Sequence, residues 1–139
     1  MYILDTDHLS VLDRGGVQAQ TLLMQLANVN PNQVVATIIS YEEQMRGWLS
    51  YVAKAQTVEG QVLAYKELKK QLANYCVIPI IEFDQPAAQE FQRLKKAYPR
   101  LGTMDLKIAA IALVNQAILL SRNSADFGQI AGLSIEDWT

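Results

Sequence analysis

The sequence predicts an α/β fold in which a mainly parallel central sheet is flanked by helices on both faces. Three observations carry that expectation. Short apolar runs recur at 2–4, 34–39, 77–81 and 117–120, that at 34–39 rich in β-branched residues, the profile of buried strands. Segments with helical spacing of apolar residues separate these runs, so consecutive strands are joined by crossovers and can lie parallel. Oxygen-bearing residues follow the strands directly, and a parallel sheet gathers its strand C-termini along one edge.

In chain order, the first strand ends at Asp5, and residues 6–10 can open a helix. Asp5 or Asp7 can cap that helix, which leaves the other free for chemistry. Gly15 and Gly16 stop it, and residues 20–26 give more helix before the Asn28-Val29-Asn30-Pro31-Asn32 break. The second strand, 34–39, is followed by Ser40 as N-cap. Glu43 stands at the Ser-x-x-Glu capping-box spacing, at the head of a helix through Trp48 and Leu49. Val58, Val62, Tyr65, Leu68 and Leu72 then recur at helical spacing, giving an amphipathic helix over 57–74 whose apolar side faces a core or a partner. The run 77–81 is strand-like, and Pro79, with no N–H to donate, moves it to an edge or a strand end. Asp84 caps a helix over about 85–98, closed by Pro99. From Gly102 the chain becomes apolar on nearly every face except at Lys107, so this helix is buried, with Ala109, Ala110 and Ala112 allowing close approach to the sheet. Asp105 sits in its first turn, where the helix dipole favours an anion. Residues 117–120 form the next strand, the polar patch 121–127 follows it, and 132–138 form a short final strand and turn.

A chain of 139 residues, 50% of them hydrophobic, fits one domain over 1–139 with a full core. The single cysteine, Cys76, cannot form an internal disulfide and has no second thiol for a zinc site, which fits a reducing cytoplasm. No apolar stretch approaches the roughly 20 residues that span a bilayer, and the N-terminus lacks the basic start and apolar core of a secretory signal. A soluble, unprocessed protein with no membrane partner is expected. Twelve basic against fourteen acidic residues give a net charge of -2, which excludes binding to nucleic acid by bulk charge alone. The basic clusters at Lys66, Lys69 and Lys70, and at Arg93, Lys95, Lys96 and Arg100, read first as solvated helix faces.

Asp5, Glu43 and the 123–126 patch each come just after a strand, and Asp105 opens the buried helix. In a parallel sheet three or four of these groups can meet. Crowded carboxylates repel, and their arrangement is stable when some are protonated or a cation sits among them. Oxygen ligation, with His8 the only histidine and Cys76 the only thiol, suits Mg²⁺ or Mn²⁺ rather than zinc. Hydrolysis of a phosphodiester is the natural reaction of such a site. Glu42, offset from Glu43 by about 100° around a helix, points elsewhere, to solvent or a salt bridge. Arg122 either binds a phosphate or pairs with one of the acids, and Lys107 has the same two options. Tyr41, Trp48 and Tyr51 are read as packing against the 57–74 helix or a dimer partner ahead of base stacking.

Four motifs in register carry a family resemblance. Tyr2-Ile3-Leu4-Asp5-Thr6-Asp7, Ser40-x-x-Glu43-x-x-x-Gly47, Gly102-x-x-Asp105-Leu106-x-Ile108-Ala109-Ala110, and Ser121-Arg122-Asn123-x-x-Asp126-Phe127 with its Gly132 to Trp138 tail together resemble a PIN-domain ribonuclease of the VapC toxin type. The likeness runs from end to end, although the middle, 48–99, matches only as helices and a strand. It implies a three-layer PIN sandwich and a Mg²⁺- or Mn²⁺-dependent endoribonuclease acting on single-stranded or looped RNA. It also implies a toxin held inactive by a cognate antitoxin, whose C-terminal segment occupies a groove beside the active site, and a homodimer. Carried over by position, Asp5, Glu43 and Asp105 match the family's three principal acids. Asp5 and Asp105 would be the direct metal ligands, and Glu43 would hold or activate water, touching the metal directly or through another ligand. Asp7, where the family often has Asn, would orient Asp5. Asn123 falls on the family's fourth acidic position; its amide can ligate or orient water but brings no charge, which leaves one or two metals open. Asp126 either compensates or caps the turn before Phe127. Two alternatives stand beside this reading. One is a haloacid-dehalogenase-type phosphatase with Asp5 as nucleophile, against which His8-Leu9 and the missing late acidic pair count. The other is a PIN-like module with a degenerate site that docks RNA or protein, against which intact Asp5, Glu43 and Asp105 count.

Overall fold

The computed structural model describes all 139 residues. Five parallel strands, β1 (Tyr2–Leu4), β2 (Val34–Thr37), β3 (Ile80–Ile81), β4 (Ile118–Leu120) and β5 (Ser134–Glu136), form one sheet in the order β3-β2-β1-β4-β5. Seven helices connect and cover it: α1 (Thr6–Arg14), α2 (Val17–Leu26), α3 (Ile38–Lys54), α4 (Val58–Val77), α5 (Gln85–Ala97), α6 (Thr103–Val114) and α7 (Ser124–Phe127).

The two-residue period of the strands divides the core. Ile3 and Leu119 point to one face, where they pack with Val35 and with residues of α5, α6 and α7, among them Leu94, Ile111 and Phe127. Leu4 and Leu120, one residue further along each strand, point to the other face and meet Val11, Ala19 and Leu22 of α1 and α2. The sheet is therefore the middle of three layers. Helix α6 is apolar all round and buried from Ile108 to Ala112, with its alanines fully enclosed. Gly15 and Gly16 adopt φ of 74° and 90° between α1 and α2, a left-handed corner open to glycine at no steric cost.

Local chemistry moves several boundaries away from the sequence expectation. β2 stops at Thr37, not Ile39, because the Thr37 hydroxyl accepts the Ser40 N–H at 3.2 Å and caps α3. The expected Ser40–Glu43 capping box does not form. Ser40 lies buried inside the first turn, with Thr6 Oγ1 2.9 Å from its hydroxyl. α2 starts at Val17, three residues early, and α4 runs on to Val77, which leaves only Ile80–Ile81 of the expected 77–81 strand. That strand is at the sheet edge, in keeping with Pro79, whose carbonyl accepts the Ala36 N–H at 3.0 Å. Asp84 caps α5 as expected. The apolar side of α4 does not enter the core of this chain: Val58, Val62, Tyr65 and Leu72 are exposed by 51–71%.

Candidate functional site

Strand order sets the position of the site. β1 pairs with β2 on one side and with β4 on the other, so neighbouring connections leave in opposite directions beyond the β1 and β4 ends, and a crevice opens between them. Asp5 follows β1 and donates its backbone N–H to Leu120 O at 3.1 Å, while Asn123 follows β4. A cavity of about 290 Å³ opens there, and Asp5, Glu43, Asp105 and Asn123 all line it, together with Thr6 and Asp7.

Asp5 is buried and is itself the N-cap of α1: its Oδ1 accepts the His8 N–H at 2.7 Å. No protein group bonds its other oxygen. Glu43, in the second turn of α3, has Oε1 2.7 Å from Thr6 Oγ1. Thr6 has a single hydroxyl proton, so it donates to the carboxylate and accepts from Ser40. Asp105 stands in the first turn of α6, and burial raises its pKa, reinforced by the charges of Glu43, Asp126 and Asp5. Asn123 caps α7 through Oδ1, 3.3 Å from the Asp126 N–H, and its Nδ2 donates to Asp126 Oδ2 at 3.1 Å. Asp126 is thus not the cap. Held by the amide, it adds the negative field at Asp105 that Asn123 lacks.

No Lys or Arg side chain bonds Asp5, Glu43 or Asp105. Arg122 forms a bidentate pair with Asp7 at 2.5 and 2.8 Å and also donates to Gln18 at 3.1 Å. The hydrogen bond from Arg122 lowers the Asp7 pKa against the opposing effect of burial. Asp7 therefore does not orient Asp5; the His8 backbone does. Lys107 makes neither a phosphate site nor an acidic pair, since its ammonium lies over the Phe83 and Phe91 rings at 5.7 and 5.6 Å. Glu42 points away and pairs with Arg46 at 2.6 Å. Tyr41 stacks edge-on against Tyr75 of α4 with centroids 5.1 Å apart, as the packing expectation required, whereas Trp48 and Tyr51 pair with one another at 5.7 Å.

His8 escaped the sequence reading. It is fully buried, with Nδ1 3.3 Å from Asp5 Oδ1 but in no hydrogen-bonding geometry, and its Nε2 accepts the Trp138 N–H at 3.4 Å. The ligand atoms of Asp5, Asp7 and His8 lie within 4.8 Å of one another, so this cluster could bind a metal. Both Asp7 oxygens are already tied to Arg122, however, and His8 does not line the cavity. The open donors facing the cavity are the carboxylates, the kind of oxygen ligand a hard divalent cation takes, although the ligand atoms of Asp5, Glu43 and Asp105 do not all lie within 4.8 Å of one another. The available signal for His8 was its place three residues after the cap, where a capping side chain reaches the backbone N–H. Tyr75 was missed as well. Its hydroxyl donates to Gln44, which donates to Ser10 at 3.2 Å, and burial with the nearby Glu43 charge pushes its pKa up.

A family model described as PIN domain matches residues 2–133. The chain belongs to the PIN-domain family. The parallel sheet with helices on both faces is its fold, and membership sets aside the phosphatase alternative. No curated protein matches the sequence. Among solved structures, this PIN domain is similar to a chain of VapBC2 from Rickettsia felis bound to a promoter DNA fragment, at a TM-score of 0.73 and 22% identity over 99% of this chain and 98% of that one. DNA-bound VapBC from Salmonella typhimurium gives 0.74 and 18%, with 99% and 98% covered. FitAcB from Neisseria gonorrhoeae gives 0.70 and 19%, with 99% and 97% covered. No helix is long and apolar enough to cross a membrane.

Proposed function

We propose that this PIN domain, acting as a single unit over 1–139, is a Mg²⁺- or Mn²⁺-dependent endoribonuclease and the toxin of a toxin–antitoxin pair. The observation that carries the reading is the convergence of Asp5, Glu43 and Asp105 on one cavity with no Lys or Arg bonded to any of them. Burial raises the Asp105 pKa and the charges of Glu43, Asp126 and Asp5 add to the rise; a divalent cation is the simplest relief for the crowding. Asp5 and Asp105 would hold the ion, with Glu43 close by. When bound, the ion polarises a phosphoryl oxygen and lowers the pKa of water, the chemistry that phosphodiester hydrolysis needs.

The protein groups have separable tasks. The helix cap fixes Asp5 and leaves one of its oxygens turned to the cavity. Thr6 holds Glu43 as an acceptor through one oxygen, so the other is free to take a proton from an attacking water. Asn123 is held by Asp126, and its amide can orient water without adding charge. The toxin assignment draws on the relatives, which include VapBC assemblies and a toxin–antitoxin complex from Klebsiella pneumoniae at 24% identity. A cognate antitoxin, a homodimer and a cytoplasmic setting belong to the same proposal.

The test is cleavage of a pool of structured RNAs by purified protein with Mg²⁺, with Mn²⁺ and with EDTA, beside Asp5→Asn and Asp105→Asn. Metal-dependent cutting lost in both variants supports the reading. Cutting that persists in either variant places the chemistry elsewhere. A folded wild type that binds RNA without cutting it would make the protein a binding module.

A further inference from the structure

Beside the acidic cavity, a larger groove of about 530 Å³ runs between α1 and α3. The two spaces are adjacent, since Thr6, Ser10 and Glu43 line both. Beyond these shared residues, the groove is walled by Asp13, Arg14, Gln44, Gly47, Trp48 and Tyr51. Its size is within the range of ligand pockets, about 300–1,000 Å³.

Arg14 is set apart from the cations around it. Arg122 is held by Asp7, Arg46 by Glu42 and Lys70 by Asp13, and Lys107 lies over two rings. Arg14 is exposed at the end of α1 and has neither an ion pair nor a side-chain hydrogen bond. Trp48 and Tyr51 meet edge to face at 85°, and Tyr51 is half exposed. Gly47 lies in the interior of a 17-residue helix, where glycine is unfavourable relative to alanine. Packing does not require it, because a Cβ there would meet nothing within 4 Å. What the missing side chain provides is clearance in the groove.

We propose that this groove seats a nucleotide flanking the scissile phosphate of the RNA, with its phosphate on Arg14 and its base against the Trp48–Tyr51 pair, over Gly47. The assignment rests on the ribonuclease reading and deepens it. A guanidinium without a protein partner matches a phosphate in charge and shape. Exposed aromatic rings take any base by stacking. The groove has no aliphatic side chain along its walls, so it offers little to the apolar face of a peptide.

Trp48 and Trp138 are the two tryptophans of the chain, so a Trp138→Phe background makes Trp48 the sole fluorophore. With Asp105→Asn added to prevent cutting, titration with short mixed-sequence single-stranded RNA is expected to quench Trp48 emission. Arg14→Gln and Gly47→Leu should each weaken binding about tenfold or more, and Gly47→Leu should leave the melting temperature unchanged or raised. In otherwise wild-type protein, Gly47→Leu should raise KM for the RNA pool by a similar factor with little change in kcat. RNA that is bound or cut with Trp48 unquenched and Gly47→Leu silent would overturn the subsite and leave the nuclease reading standing. Failure of the wild type to bind or cut any RNA would overturn both. Quenching by an antitoxin peptide but not by RNA would also overturn the subsite and give the groove to a protein partner.

Discussion

Asp5 has two tasks, as helix cap and as candidate metal ligand, and two substitutions separate them. Asn is as good an N-cap as Asp, so Asp5→Asn keeps an oxygen for the His8 N–H, now 2.7 Å from Oδ1, and removes only the charge. The lost attraction to the α1 dipole, about 0.3–1 kcal/mol, is offset by relief of the repulsion on Asp105. Asp5→Ala removes the cap as well. A lost cap costs about 1 kcal/mol, and the buried His8 N–H left without an acceptor carries the loss toward about 2 kcal/mol. A chain of this length changes stability by about 0.3 kcal/mol per degree near its midpoint. Asp5→Ala should therefore melt about 3–7 °C below wild type in EDTA, and Asp5→Asn within a degree or two of it. Both should lose metal-dependent cleavage, by at least about a hundredfold if the ligand is direct. Circular dichroism melts and RNA cleavage on the same preparations give the two readouts. An Asn variant that melts as low as the Ala variant would refute the capping account, and one that still cuts would refute the metal role.

Three further predictions follow from the same geometry. Asp105 binds its proton more tightly folded than unfolded, so in EDTA the folded wild type should gain stability relative to Asp105→Asn as pH falls from 7 through the raised value toward the ordinary carboxylate range; parallel melts showing a constant gap would contradict this. Arg122→Gln breaks a partly exposed pair, so a double-mutant cycle with Asp7→Asn should return a coupling of about 1 kcal/mol or less, and cleavage should survive. Thr37→Ala should cost about 1 kcal/mol as the true cap of α3; in urea melts its loss should be larger than that of Ser40→Ala, the reverse of what the sequence spacing alone suggests.

Much of the candidate site was legible because it sits where strand ends and helix starts announce themselves. Asp5, Glu43 and Asp105 follow apolar runs or open an apolar helix, and a parallel sheet brings such positions to one edge whatever its exact strand order. Lys107 shows what was not legible. Its position one turn into α6 suggested a site residue, but Phe83 and Phe91 arrive from elsewhere in the chain to take the ammonium. The 77–81 run is similar: its composition suits a strand, yet helical hydrogen bonding continues through Val77 and pairing with β2 begins only at Ile80.

By itself, the sequence determined the alternation of strands and helices and the burial of α6, because periodicity and the run of alanines are local properties of the chain. Tertiary structure alone decided the partners. It assigned Arg122 to Asp7 and Thr6 to Glu43, brought the Trp138 N–H to His8, and left Arg14 unpaired in the groove that Trp48 lines. The physical reason is that a side-chain contact depends on which residues distant in sequence the sheet order places side by side, and no local pattern encodes that order.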